Sequence, residues 1–233
     1  NAYPGLANRT LEKYVDNIFL GFEDAGKFFK QPEKHVVAGN PVRKSFFTLS
    51  KKEAREKLGI PQDDFVVFTF GGSLGAAKIN DVAIELLELF NGHSGVTMVM
   101  GTGKLYKDEI AANIAARKID VKENIRIKDY IESMDLYLMA CDLVISRAGA
   151  LSVAETTVCG KASILIPSPN VTGNHQYYNA KAVADRGGAL LIEEKDLSIK
   201  QVVENVLGLK NDREKLKAMS RASRECAPDK ALD

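Results

Sequence analysis

Two rhythms of apolar residues run along this 233-residue chain. Short β-rich runs stand at 66–70, 96–100, 125–130, 143–146, 163–166 and 189–192. Between the first two lies a stretch, 76–90, in which Ile79, Val82, Ala83, Leu86, Leu87 and Phe90 recur every three or four positions on one helical face. The stretch 104–117 shows a weaker helical pattern. The stretch 198–208 opens on Ser198, a capping residue type, and places Ile199, Val202, Val203, Val206 and Leu207 on one side. Strands that are apolar throughout, alternating with amphipathic helices, predict a parallel sheet covered on both faces. Right-handed crossovers then give an α/β, Rossmann-like, doubly wound fold.

The first forty residues break this rhythm. Residues 8–14 read as a helix and 15–22 as a strand; a polar, lysine-rich stretch follows, then Val36-Val37-Ala38-Gly39-Asn40-Pro41. Residues 1–42 are therefore expected to be the end of a preceding domain plus a linker, with residues 43–233 as the main unit. The chain opens without an initiator methionine or a first strand. It stops at 229–233, where a helical pattern is starting. Both ends are expected to be cut, making the chain a fragment.

Composition narrows the function classes. Apolar residues make up 45%, charged residues 27%, and the net charge is +1. That balance is ordinary for a globular domain and argues against a nucleic-acid partner. No apolar run approaches the roughly 20 residues of a membrane helix, and no signal-peptide pattern opens the chain. Cys141, Cys159 and Cys226 are odd in number and widely spaced, which matches neither a disulfide framework nor a zinc pattern and suits a reducing cytosol. No metal and no cofactor is expected.

Four segments carry candidate chemistry. Gly71-Gly72-Ser73-Leu74-Gly75-Ala76 joins the strand at 65–70 to the helix at 76–90. Glycines allow a ligand close to the backbone, and a helix N-terminus attracts phosphate. The spacing is neither Gly-x-Gly-x-x-Gly nor a P-loop. Gly101-Thr102-Gly103 stands where a dinucleotide site needs an acid. The second segment, Ser146 through Glu155, runs from a strand end into another glycine-containing helix start. There Glu155 has two readings: a carboxylate that accepts both hydroxyls of a ribose, or the partner of Ser152 in a capping box. The third, Asn174-His175-Gln176-Tyr177-Tyr178-Asn179-Ala180, offers amides that donate to and accept from sugar hydroxyls, or simply a polar helix start. The fourth, Gly39-Asn40-Pro41-Val42-Arg43, is a turn with an arginine that would point at a diphosphate.

In order and spacing, Gly39–Arg43, Gly71–Ala76, Tyr130-Ile131-Glu132-Ser133-Met134, Arg147 through Glu155 and His175 through Ala180 resemble the MurG family of glycosyltransferases. The resemblance covers nearly the whole chain. It implies the C-terminal, donor-binding half of a GT-B fold. The implied reaction is an inverting transfer of N-acetylglucosamine from UDP-N-acetylglucosamine to an undecaprenyl-linked muramyl-pentapeptide, in peptidoglycan synthesis at the inner face of the bacterial membrane. Carried over by residue, Ile131 offers its backbone to the uracil and Glu155 takes the ribose. Gly72, Ser73 and Arg43 serve the phosphates. Ala150, Leu151, Ser152, Val153 and Ala154 line the donor, and Gln176 holds the sugar hydroxyls. Asn1 matches a position across the cleft, and His175 stands where some members carry glutamine. The family takes its acceptor loop and proposed catalytic histidine, and the expected contact with the membrane surface, from the preceding domain, so no catalytic residue is named. A UDP-N-acetylglucosamine epimerase and a GT-B enzyme with another nucleotide sugar are the alternatives.

Overall fold

A computed structural model describes residues 1–227. Eight strands form two parallel sheets. The small one pairs β1 (Ile18–Leu20) with β2 (His35–Val37). The large one contains β3 (Phe65–Phe70), β4 (Val96–Gly101), β5 (Ile125–Lys128), β6 (Leu143–Ser146), β7 (Ala162–Leu165) and β8 (Ala189–Leu191), in the spatial order β5-β4-β3-β6-β7-β8. This is the predicted doubly wound sheet.

Among the described residues there are ten α-helices: α1 (Leu6–Leu11), α2 (Ser45–Thr48), α3 (Lys51–Leu58), α4 (Ala77–Phe90), α5 (Lys107–Ala116), α6 (Met134–Ala140), α7 (Ala150–Val158), α8 (His175–Ala184), α9 (Ile199–Asn211) and α10 (Arg213–Glu225). The pleat divides each strand between two cores. Val67, Met98, Met100 and Ile145 pack with α4 and α9 through Ile79, Leu86, Val202 and Val206. Val66, Phe68, Phe70 and Val144 pack on the opposite face with α3, α6 and α7 through Ala54, Leu138 and Ala154. Burial on both faces is why these strands read as unbroken apolar runs.

Several expectations change in detail. The strand read at 15–22 shrinks to Ile18–Leu20, and the helix read at 8–14 begins at Leu6 and tightens into a 3-10 turn at Glu12–Tyr14. The helix start expected at 229–233 lies outside the described residues. Helices α2, α3, α6 and α10 lie outside the elements predicted from the sequence. Of these, α3 had legible signals: Ser50 and Glu53 make a reciprocal capping box, and Gly59 ends the helix at φ 60°. Residues 1–42 dock on α8. Tyr3 stacks on Tyr178 at 4.9 Å between ring centroids, and Arg186 pairs with Asp24 at 2.8 Å.

Two buried cations fasten the fold. Arg55, 1% exposed, donates to the Ala140 carbonyl at the end of α6 and pairs with Asp142 at 2.8 Å. Lys161 donates to the Met139 and Cys141 carbonyls at 2.8 and 3.0 Å, satisfying acceptors that the same helix end leaves open. All three cysteines are free thiols, and burial pushes Cys141 up to about 11 and Cys159 up to about 12.

Candidate functional site

From β3 the chain winds to β4 and β5 on one side. After β6 it winds to β7 and β8 on the other. The strand order therefore reverses between β3 and β6, and the crevice beyond their C-terminal ends is where open α/β sheets take ligands. The glycine turn after β3 and the Ser146–Gly149 loop after β6 both open here, onto α4 and α7. Neither helix has a side-chain cap, and neither carries an acid in its first turn. Their first N–H groups are free to meet an anion.

The turn is shaped by contacts that sequence reading did not supply. Gly75 (φ 89°) lies against Gly103 (φ 81°). A Cβ on Gly75 would sit 2.2 Å from the Thr102 carbonyl oxygen, and one on Gly103 would sit 2.2 Å from Gly75 Cα. Asn80 of α4 donates to the same Thr102 carbonyl at 3.0 Å. Gly103 thus belongs to the site's framework, although in the sequence it marks only a missing acid. The legible signal was a second glycine pair, Gly101-x-Gly103, at the end of the neighbouring strand.

The structure removes one of the two readings of Glu155, the capping box. Helix α7 begins at Ala150 with Gly149 as its cap, so Ser152 is the third helical residue and Glu155 the sixth. A capping box needs the serine at the cap itself, and none forms. The Glu155 carboxylate has no hydrogen-bond partner among the described residues. It lines a cleft of about 480 Å³ together with Arg43, Gly72, Ser73, Ile131 and Leu151. Burial pushes its carboxyl above the ordinary value; the Arg43 guanidinium opposes this and the Asp135 carboxylate reinforces it. Asp135 itself titrates low: burial acts upward but is outweighed by hydrogen bonds from Ser45 and the Leu136 N–H and by Arg43. Arg43 rests over the Phe46 ring at 5.4 Å and pairs with no carboxylate among the described residues.

A second cavity of about 560 Å³ adjoins the first across Gly72, Ser73 and Ser152, and reaches Lys78, Arg147, Gly149, Ser168 and Gln176. Arg147 is committed to structure. It pairs with Glu194 at 2.5 Å and donates to the Ile166 and Pro167 carbonyls. Gln176 is half committed. Its Oε1 accepts from the Ser168 N–H at 2.9 Å and the Ala148 N–H at 3.3 Å, so only its NH2 is left for a ligand. The amide expected to both donate and accept is a donor alone. His175 donates from Nδ1 to the Thr172 carbonyl at 2.9 Å, which leaves Nε2 as an acceptor. Asn1 is brought to α8 across almost the whole chain; its Oδ1 accepts from Asn179 at 3.1 Å.

The run 150–154 divides. Ala150, Leu151 and Ser152 form the open first turn, with Leu151 and Ser152 on the cleft. Val153 and Ala154 are 1% and 5% exposed and pack in the cores, and the Val153 N–H is already taken by the Gly149 carbonyl at 2.9 Å. Their side chains do not reach the cleft.

An open parallel sheet with two uncapped helix starts and an unpaired acid at its switch point defines a Rossmann-like α/β domain, here the C-terminal half of a GT-B architecture. The chain belongs to glycosyltransferase family 28: residues 66–232 match the "Glycosyltransferase family 28 C-terminal domain". A relative from Acetivibrio thermocellus is 42% identical over 221 residues, covering 95% of this chain and 59% of its own length; it is described as a UDP-N-acetylglucosamine–N-acetylmuramyl-(pentapeptide) pyrophosphoryl-undecaprenol N-acetylglucosamine transferase. The crystal structure of Acinetobacter baumannii MurG superposes with a TM-score of 0.70 at 24% identity, over 97% of this chain and 60% of that one. A UDP-N-acetylglucosamine 2-epimerase structure from Listeria monocytogenes also reaches a TM-score of 0.70, over 99% of this chain and 60% of that one, but at 16% identity it shares only the fold. The chain spans about 60% of the length of the curated relatives it matches.

Proposed function

We propose that this chain is the donor-binding half of an inverting N-acetylglucosaminyltransferase. Its donor is UDP-N-acetylglucosamine and its acceptor the undecaprenyl-pyrophosphoryl muramyl-pentapeptide, as the names of its relatives suggest. Residues 1–42 are read as the end of the acceptor domain and residues 43–233 as the donor domain. Exposed Leu6 and Phe19, 73% and 71% accessible, support this, because a two-stranded parallel sheet is rarely left uncovered. Contact with the inner membrane surface is assigned to the other domain. Among the described residues no helix is long and apolar enough to cross a membrane.

The observation that carries this reading is the placement of two uncapped helix N-termini, Arg43 and the unpartnered Glu155 around two adjoining cavities that share Gly72, Ser73 and Ser152. Ile131 backbone meets the uracil, and Glu155 accepts the ribose hydroxyls. Gly72, Ser73, Arg43 and the first N–H groups of α4 and α7 hold the diphosphate. Gln176, His175 and Asn1 surround the sugar. When the acceptor hydroxyl displaces UDP at the anomeric carbon, negative charge grows on the leaving diphosphate. Fixed helix starts, with Arg43 on the same cleft, would meet that charge with little reorganisation, which lowers the barrier.

Calorimetry with UDP and uridine tests the assignment. Charge-assisted hydrogen bonds contribute about 1.5–3 kcal/mol each before desolvation, so UDP should bind at least about thirtyfold more tightly. Equal affinities would remove the diphosphate from this cleft.

A further inference from the structure

Asn179 is completely buried, yet every polar atom of its side chain is engaged. Its Oδ1 accepts from the Ala2 N–H at 2.7 Å. Its Nδ2 donates to the Ala148 carbonyl at 3.0 Å and to Asn1 Oδ1 at 3.1 Å. One turn earlier on the same face of α8, Gln176 accepts from the Ala148 N–H. The two amides therefore grip Ala148 at both its N–H and its carbonyl, immediately before the start of α7. The same Asn179 holds the backbone of Ala2 and the side chain of Asn1. Three segments far apart in sequence are fixed to one another through it.

We infer that Asn179 is a positioning residue for the sugar half of the donor. Resting on the donor reading above, it sets the distance between Asn1, Gln176 and the first turn of α7. Three features separate this from a filler role. An apolar residue of similar size would fill the same space. The bonds run to the chain segments that carry proposed sugar contacts. The uracil contact at Ile131 lies on an element that Asn179 does not touch, and Glu155 sits a full turn further along α7 than the end that Asn179 holds.

The test is calorimetry on the whole 233-residue chain with UDP, UDP-N-acetylglucosamine and UDP-glucose. Asn179→Asp keeps the acceptor for Ala2 and removes both donor bonds. Asn179→Ala removes all three bonds without introducing a buried charge and serves if the first variant folds poorly. Each should bind UDP within about threefold of wild type and lose about tenfold of the preference for UDP-N-acetylglucosamine over UDP-glucose, the scale of one neutral hydrogen bond. Asn1→Ala, at an exposed position, should reproduce the loss, and the double variant should lose no more than either single one. An unchanged preference in a variant that binds UDP normally overturns the inference alone. So does a parallel loss of all three ligands, which marks a general packing role. A wild-type chain that binds UDP but shows no preference for UDP-N-acetylglucosamine overturns the donor reading and takes this inference with it.

Discussion

At Glu155 the requirements of folding and binding oppose each other. Its carboxyl is held above the ordinary value of 4.5 by burial, with Arg43 acting against the shift and Asp135 for it. The folded chain therefore binds that proton more tightly than the unfolded chain. The site contributes most stability below 4.5, and that contribution is lost as pH rises through the raised value. The proposed nucleotide contact would run the other way, because an ionised carboxylate is the stronger acceptor for ribose hydroxyls. Glu155→Gln should melt at a higher temperature than wild type near neutral pH and lose that advantage in acid. It should also weaken UDP by about 1–3 kcal/mol and 2′-deoxy-UDP by about half as much, since one of the two ribose bonds is already gone. Thermal melting across pH, with calorimetry on both nucleotides, checks the pair. A folded variant that keeps the wild-type preference for the ribose would sink the assignment. The sequence left this residue undecided between cap and ligand contact, because Ser152-x-x-Glu155 has the spacing of a capping box. Only the position of the helix start, one residue after Gly149, excluded the cap.

Among the elements, the two glycine loops at the ends of β3 and β4 behave as one unit. Gly72 and Gly103 both sit at positive φ but differ in surroundings. A Cβ on Gly72 meets nothing within 4 Å, whereas one on Gly103 lies 2.2 Å from backbone atoms of Gly75. Gly72→Ala should cost about 1–2 kcal/mol of stability from backbone strain alone. Gly103→Ala adds overpacking against a neighbour that cannot rotate away, and should cost about 3 kcal/mol or more. It should also weaken UDP, because Gly103 lines the same cleft as Ser73 and Glu155. Denaturant titration of both variants decides; equal losses would mean the two loops move independently. The glycine-rich turn after β3 was legible because strand, turn and amphipathic helix follow one another locally. Its partner on β4 was not, because the contact joins residues 28 positions apart, 75 and 103.

For the whole molecule, the chain should bind UDP-N-acetylglucosamine and transfer nothing to a lipid-linked acceptor. The proposed donor contacts all lie within it, while it spans about 60% of the length of its relatives. Product analysis with radiolabelled donor, beside binding measured on the same sample, tests this; turnover by the 233-residue chain would refute it. The sequence by itself determined the sheet, its parallel sense, and the two helix starts that follow β3 and β6, because unbroken apolar runs and amphipathic periods are local consequences of burial on two faces. It also located Arg43, Ser73 and Gln176 as candidates, each within a short motif. Tertiary structure alone decided that Val153 and Ala154 face the core, that Gln176 is only a donor, and that Asn1 meets α8. Each depends on which groups the fold places opposite one another. A hydrogen bond between Ala2 and Asn179 spans 177 positions, and no local periodicity encodes a distance of that kind.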